Sequence, residues 1–368
     1  MEIYSTSKAL YHVDKLAEIQ RGNPISPTLI QIDLEAWCND NCSFCSYRKD
    51  DGYNKGMLEL LKCGSHCENK PIGKPSPDSR LPESVAKELP LQMKQNNIPA
   101  IELTGGGEPT MWPYFDILLD NLIQNEIEIG LVTNGSNLPD SRLKKLAGYS
   151  GTKWVRFSMD ASNQEIHKLI HRTSGEDFAR RVNTIKKMVE WKHKDLVLGI
   201  SFIITPDNWL NIESAIQFYK NIGVNNIRFS WMYDKSGNSG LDPQTIDVIK
   251  AKLEFHKEKY DTENFRVLFE RGRIETYDKP NDDFSRCYYQ QFVWNIGADS
   301  LVYPCCIQKY NKAFALGDIR TQTITDIILS SHTKMTTLDP MMCNPCWLRN
   351  RNKDIAKGVE KPQHHNFV

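Results

Sequence analysis

Hydrophobic positions along the chain follow two alternating periods. Short apolar runs rich in β-branched and aromatic residues recur at 28–36 (TLIQIDLEA), 100–104 (AIELT), 128–133 (EIGLVT), 153–160 (KWVRFSMD), 196–205 (LVLGISFIIT) and 226–232 (NIRFSWM). Their length and make-up predict β-strands. Between them, segments near 82–97, 112–125, 140–148, 175–192, 208–221 and 242–259 carry helical periodicity bounded by turn residues. Asp207-Asn208 and Asp242-Pro243 supply helix-start chemistry for the last two. Six strands each followed by a helix predict an α/β fold, a parallel sheet curled into a partial (β/α)6 TIM-like barrel. In such folds the chemistry gathers at the C-terminal ends of the strands.

After about residue 262 the period changes. FRVLFER, QFVWNIG and LVYPC read as short strands, the last following a hairpin turn at Gly297–Ser300, and a helix is expected near 322–331. The predicted organisation is an N-terminal extension (1–27), a barrel (28–262) with a long polar insertion (46–80), and a small α+β unit (263–368). An insertion of that length is either a functional lid or a disordered loop.

Composition narrows the class. The 368 residues balance 46 Lys+Arg against 46 Asp+Glu and are 40% hydrophobic, which excludes a disordered chain and a globally basic nucleic-acid binder. No run of eighteen apolar residues exists, and the N-terminal stretch lacks the apolar core of a signal peptide, so a cytoplasmic protein with reduced thiols is expected. The ten cysteines lie at 38, 42, 45, 63, 67, 287, 305, 306, 343 and 346, with none between 68 and 286. That clustering predicts two metal sites joined by a scaffold.

The first group, Cys38-Asn-Asp-Asn-Cys42-Ser-Phe44-Cys45, sits at the end of the first predicted strand. Three thiolates suit a four-iron cluster that leaves one iron open to a small molecule. A zinc knuckle wants a fourth ligand, and none is close by. Here the sequence resembles the radical S-adenosylmethionine (SAM) superfamily, whose signature is Cys-x3-Cys-x-aromatic-Cys. The resemblance extends to Gly106-Gly107-Glu108-Pro109 after strand two, Thr133-Asn134-Gly135 after strand three and Ser158-Met-Asp160-Ala161 after strand four, with His167 and Arg172 beyond. It implies a [4Fe-4S] cluster on Cys38, Cys42 and Cys45, and Phe44 beside the adenine of SAM. The backbone at Gly106, Gly107 and Glu108 would receive the SAM ammonium. Thr133, Asn134 and Ser158 would stand near the carboxylate or ribose, and Arg172 would neutralise the carboxylate, with Arg180 competing for that role.

The second group resembles the SPASM and shorter twitch extensions of the same superfamily. Asp299-Ser-Leu-Val-Tyr-Pro304-Cys305 matches their cysteine hairpin with Ser300 in place of a glycine, and Phe314-Ala-Leu-Gly-Asp-Ile319 continues the likeness. The cysteine count favours the twitch form, with an auxiliary iron–sulfur cluster on Cys287, Cys305, Cys343 and Cys346. Four thiolates also suit a structural zinc. Cys306 is expected to point away as a small core hydrophobe. Cys63 and Cys67 stay open between spare thiols, a redox pair and substrate-handling groups. The tail His364-His365-Asn366-Phe367 is either a frayed terminus or a flap over the barrel mouth.

The implied activity is reductive SAM cleavage and hydrogen abstraction, ending in an oxidation or a rearrangement and fed by a flavodoxin- or ferredoxin-type reductant. A nucleotide, a sugar, a nucleic-acid base or a peptide are the substrate classes in play. The first 27 residues are too short for a leader-peptide domain, which weakens the peptide class. A non-enzymatic iron–sulfur or zinc scaffold is the alternative reading. The intact triplet, Phe44, Glu108 and Ser158 speak against it.

Overall fold

Ten strands form one sheet in a computed structural model that describes residues 5–48, 79–173, 176–232, 240–269, 284–343 and 346–360. Seven run parallel in chain order: β1 (Leu29–Asp33), β2 (Ala100–Thr104), β3 (Glu128–Thr133), β4 (Thr152–Ser158), β5 (Val197–Ile204), β6 (Asn226–Trp231) and β7 (Arg266–Phe269). On the free side of β1 lies β8 (Val293–Ile296), also parallel, followed by the antiparallel β9 (Leu301–Tyr303) and β10 (Gly317–Asp318). Among the described residues the edges, β7 and β10, do not pair with each other, as in a partial barrel.

Alternation along each strand separates two faces. Ile30, Ile32, Ile101, Leu103, Ile129, Leu131, Val155, Phe157, Leu198, Ile200, Ile227 and Phe229 are sealed into the main core. Residues of the opposite parity, among them Gln31, Glu102, Arg156, Ser158, Ser201 and Arg228, are only part-buried and give the inner face its polar character. The helices α2 (Glu83–Gln95), α3 (Phe115–Gln124), α4 (Asp140–Gly148), α5 (Gln164–His171), α6 (Asp177–Trp191), α7 (Ile212–Ile222) and α8 (Pro243–Tyr260) supply the crossovers. None of the described helices is long and apolar enough to cross a membrane.

A second core joins the two ends of the chain. Leu16 and Ile19 of α1 (Val13–Arg21) pack with Tyr289 and Phe292 of α9 (Tyr289–Phe292) and with Ile355 and Val359 of α11 (Arg349–Val359). The cysteine hairpin is part of it, through Cys305 and Ile307. The remaining helix, α10 (Ile324–Thr337), starts with a capping box in which Thr323 and Asp326 satisfy each other's backbone donors.

The structure departs from the sequence pattern in several places. Helices α1, α5, α9 and α11 are additional. The strand at 266–269, expected to open the cysteine-bearing unit, extends the parallel sheet beside β6. Asn208 is not a side-chain cap: its amide accepts from Thr205 N and donates to Asp160 O and Ile203 O, tying the end of β5 to the end of β4. Asp242 does cap α8, accepting from Thr245 N. Ser300 takes φ of 69°, the left-handed conformation that a glycine would favour.

Candidate cluster and cofactor site

The loop after β1 carries the three cysteines across the C-terminal ends of the strands. Its approach is fixed by backbone pairing with the glycine turn after β2: Gly107 N donates to Glu35 O and Glu108 N to Trp37 O. The fit is tight, since a Cβ at Gly107 would lie 1.8 Å from Trp37 O. Further along, Asn41 N and Ser43 N donate to His171 O and Ile170 O, so the last turn of α5 supports the middle of the loop.

Glu108 ties the turns after β2 and β3 together. One of its carboxylate oxygens accepts from Thr110 N, Thr110 Oγ1 and Thr133 Oγ1, and the other accepts from Asn134 N. Burial pushes this carboxyl up, and the four donors pull it back. Asn134 Nδ2 lies 4.0 Å from Cys38 Sγ and donates to Asn39 Oδ1, which brings the strand-three turn against the cysteine loop. Cys38 is held well above the ordinary thiol range by burial first, then by Asp40, Cys42 and Glu108.

A buried charge network lies beneath Cys42. Asp40 takes two hydrogen bonds from Arg181, at 2.7 and 2.5 Å, and Arg181 also binds Asp177 at 2.9 Å. Hydrogen bonds from His171 and Arg181 hold Asp40 well below the usual carboxylate range despite its burial. His171 Nδ1 stands 3.1 Å from Asp40 Oδ2 and 3.3 Å from Cys42 Sγ. Its Nε2 stands 3.1 Å from Asp160 Oδ2 and 3.2 Å from Met159 O. Phe44 meets the His171 ring edge-on at 6.3 Å.

The second cysteine group gathers on the flank of the sheet. Cys287 precedes α9, Cys305 follows β9, Cys343 ends a short turn and Cys346 precedes α11. Burial pushes Cys287 up to about 12 and Cys346 to about 11, and the thiols raise one another. Cys306 is part-buried against the second core, as a small hydrophobe would be, and adds electrostatically to the raised Cys305, Cys346 and Tyr47. Two residues on, Gln308 Nε2 donates to Cys343 Sγ. Lys309 reaches back to the barrel, 2.7 Å from Asp33 Oδ2 at the end of β1, and donates to Tyr47 OH and Gly105 O. Tyr310 OH donates to the same Asp33 oxygen at 2.7 Å.

Both cysteine sets fit an iron–sulfur group. Cys38, Cys287, Cys305 and Cys346 are each raised by burial and further by neighbouring thiols, so as thiolates they need a compensating cation, which a metal cluster supplies. Of the residues expected to contact SAM, Phe44, Glu108, Thr133 and Asn134 lie around the triplet. Ser158 ends β4 opposite Ser201 of β5. Arg172 is exposed, at the left-handed C-cap of α5. Thr133 Oγ1 is engaged by Glu108 and by Gly135 N. The expectations for Cys63, Cys67, most of the 46–80 insertion and the His364–Phe367 tail lie outside the described residues.

A family model described as the radical SAM superfamily matches residues 35–219, half of the chain. The chain belongs to the radical SAM superfamily. A second model, for the SPASM iron–sulfur cluster-binding domain, matches residues 287–347. Among curated proteins this radical SAM chain is 31% identical over 127 residues to a Pyrococcus furiosus protein named tungsten-containing aldehyde ferredoxin oxidoreductase cofactor-modifying protein, covering 33% of this chain and 34% of that one. It is 24% identical over 192 residues to an S-adenosylmethionine-dependent nucleotide dehydratase of Flammeovirga pacifica, covering 51% and 57%. The chain thus spans a third to just over half the length of these relatives. Among solved structures, Streptococcus suis SuiB bound to its precursor peptide SuiA superposes with TM-score 0.64 at 13% identity, covering 92% of this chain and 73% of that one. Native anSMEcpe with bound AdoMet gives 0.60 at 16%, covering 90% and 97%. At such identities the likeness is one of fold.

The buried network went unread in the sequence. Asp40 lies inside the triplet and was visible only as a spacer, while Arg181 and His171 are more than 125 residues away along the chain. The histidines at 167 and 171, one helical turn apart, were the available signal.

Proposed function

We propose that this radical SAM protein cleaves SAM reductively and uses the product to abstract a substrate hydrogen, in an oxidation or a rearrangement. The observation that carries the reading is the convergence of Cys38, Cys42, Cys45, the Gly106–Glu108 turn and the Thr133–Asn134 turn at one end of the sheet, held together by buried Glu108. When bound, a [4Fe-4S] cluster on the three cysteines supplies an electron that splits the SAM sulfonium into methionine and a 5′-deoxyadenosyl radical.

The protein's own residues then position and exclude. Glu108 holds the two turns in register, so the glycine backbone and Asn134 face the loop in a fixed geometry. Phe44 presents an apolar ring beside the triplet, and Ser158 contributes a hydroxyl at the end of β4. Arg172 is the candidate partner for the SAM carboxylate. Cys287, Cys305, Cys343 and Cys346 would hold an auxiliary cluster, and with four protein ligands it would be suited to accept an electron from substrate. Asp33, Lys309, Tyr310 and Tyr47 lock the cysteine-bearing unit, expected at residues 263–368, onto the barrel expected at 28–262, which in the folded sheet also takes in β7. A flavodoxin- or ferredoxin-type protein is the expected reductant, and the expected location is the cytoplasm. The substrate class lies between a peptide, as bound by SuiB, and a nucleotide, as named for the Flammeovirga relative.

Anaerobic reconstitution with iron and sulfide tests the reading. About eight irons per chain and release of 5′-deoxyadenosine with SAM and dithionite are expected. About four irons with turnover would remove the auxiliary cluster, and no cluster at all would overturn the proposal.

A further inference from the structure

We infer that His171 donates a hydrogen bond to the Cys42 sulfur when that sulfur ligates the cluster, and that this bond raises the cluster's reduction potential. The inference rests on the reading of Cys38, Cys42 and Cys45 as cluster ligands. His171 is a positioning residue here, acting through Cys42.

Geometry sets the role. The ring is 1% exposed, and each nitrogen faces acceptors only: the Asp40 carboxylate and Cys42 sulfur at Nδ1, the Asp160 carboxylate and Met159 carbonyl at Nε2. With only acceptors in reach, Nδ1 carries a hydrogen, which Asp40 Oδ2 at 3.1 Å and Cys42 Sγ at 3.3 Å share. His167 stacks on it with ring centroids 4.4 Å apart, which closes one face. The backbone carbonyl of His171 receives Asn41 N, so ring and main chain of one residue both grip the cysteine loop. Asp40 cannot swing away to free the ring, because Arg181 holds both of its oxygens.

Ligand-type atoms of Asp40, Cys42 and His171 come within 4.8 Å of one another, a spacing that would also suit a single cation. Asp40 is already spent on Arg181 and both His171 nitrogens face acceptors, so only the cysteine remains to ligate. Hydrogen bonds to ligating sulfurs stabilise the reduced form of an iron–sulfur cluster. Removal of the donor should therefore lower the potential and make the first electron harder to supply.

The test is an anaerobic redox titration of the full chain followed by electron paramagnetic resonance, reading the cluster whose signal shifts when SAM is added. In His171→Asn the amide reaches the Nδ1 position, and in His171→Gln it reaches the Nε2 position. A midpoint close to wild type is expected for His171→Asn, and a shift to more negative potential for His171→Gln and His171→Leu. If His171→Leu fails to take up iron, the Asn and Gln variants decide alone. Equal midpoints in those two, or loss of iron from both, would overturn the inference. A wild-type chain with no SAM-sensitive cluster would overturn the functional reading as well. A wild-type cluster with a variant-independent midpoint would overturn this inference alone.

Discussion

Lys309→Met is expected to loosen the attachment of the cysteine hairpin to the barrel in a pH-dependent way. Lys309 and Asp33 are 6% and 1% exposed and 2.7 Å apart, on segments 276 residues distant along the chain. Removing one partner of a buried ion pair costs about 3–5 kcal/mol, because the other charge stays behind. With unfolding entropy of about 2.1 cal/mol/K per residue, a chain of this length converts that loss into roughly 4–6 °C of Tm. Burial already pushes the Asp33 carboxyl up, against the pull of Lys309 and Tyr310. Without Lys309 it rises further. A carboxyl raised in the folded state contributes stability that is complete below its unfolded pKa and is lost as pH rises through its folded pKa. The Tm deficit of the variant should therefore be small near about pH 5 and largest near about pH 8. Asp33→Asn combined with Lys309→Met removes the stranded charge and should recover part of the loss. Anaerobic thermal melts followed by circular dichroism at both pH values provide the assay. A deficit that is the same at both pH values, or a double variant no better than Lys309→Met, would refute the reasoning.

Other outcomes follow from the same contacts. Gly107→Ala puts a methyl group onto Trp37 O and should abolish SAM binding by forcing the turn apart, measured by equilibrium dialysis of the reconstituted protein. Glu108→Ala leaves Thr133 Oγ1, Asn134 N and both Thr110 donors without their acceptor. It should weaken SAM binding at least about tenfold, the equivalent of one charged hydrogen bond, while iron content is retained. Cys305→Ala should lose about four irons and keep the SAM-responsive cluster, as counted by iron assay and by the SAM-induced spectral shift.

Much of the candidate site was legible in the sequence because its cysteines and turns each lie within one short segment. Cys38, Cys42 and Cys45 share one loop, the glycine turn follows one strand, and the six-strand pattern places both at the same end of a parallel sheet. Strand positions agreed closely because alternating burial is local: β2 and β3 coincide with their apolar runs. Helix α5 was missed because its buried side consists of His167, Ile170 and His171, and two of those three count as polar in any hydrophobic pattern. The strand at 266–269 was grouped with the cysteine-bearing unit yet pairs with β6, because pairing is decided by which edge is free, a property of the folded sheet.

The sequence by itself determined the superfamily and the mostly parallel α/β sheet, since the one rests on motifs carried within short segments and the other on a repeated period. Only the tertiary structure decided what surrounds the cysteines. Asp40 meets Arg181 and Lys309 meets Asp33 across more than a hundred residues, pairings that linear order does not encode. In water such charges would pay little heed to one another. Desolvation in the folded core makes each partner necessary to the next, and that condition exists only once the helices and the cysteine hairpin have packed against the sheet.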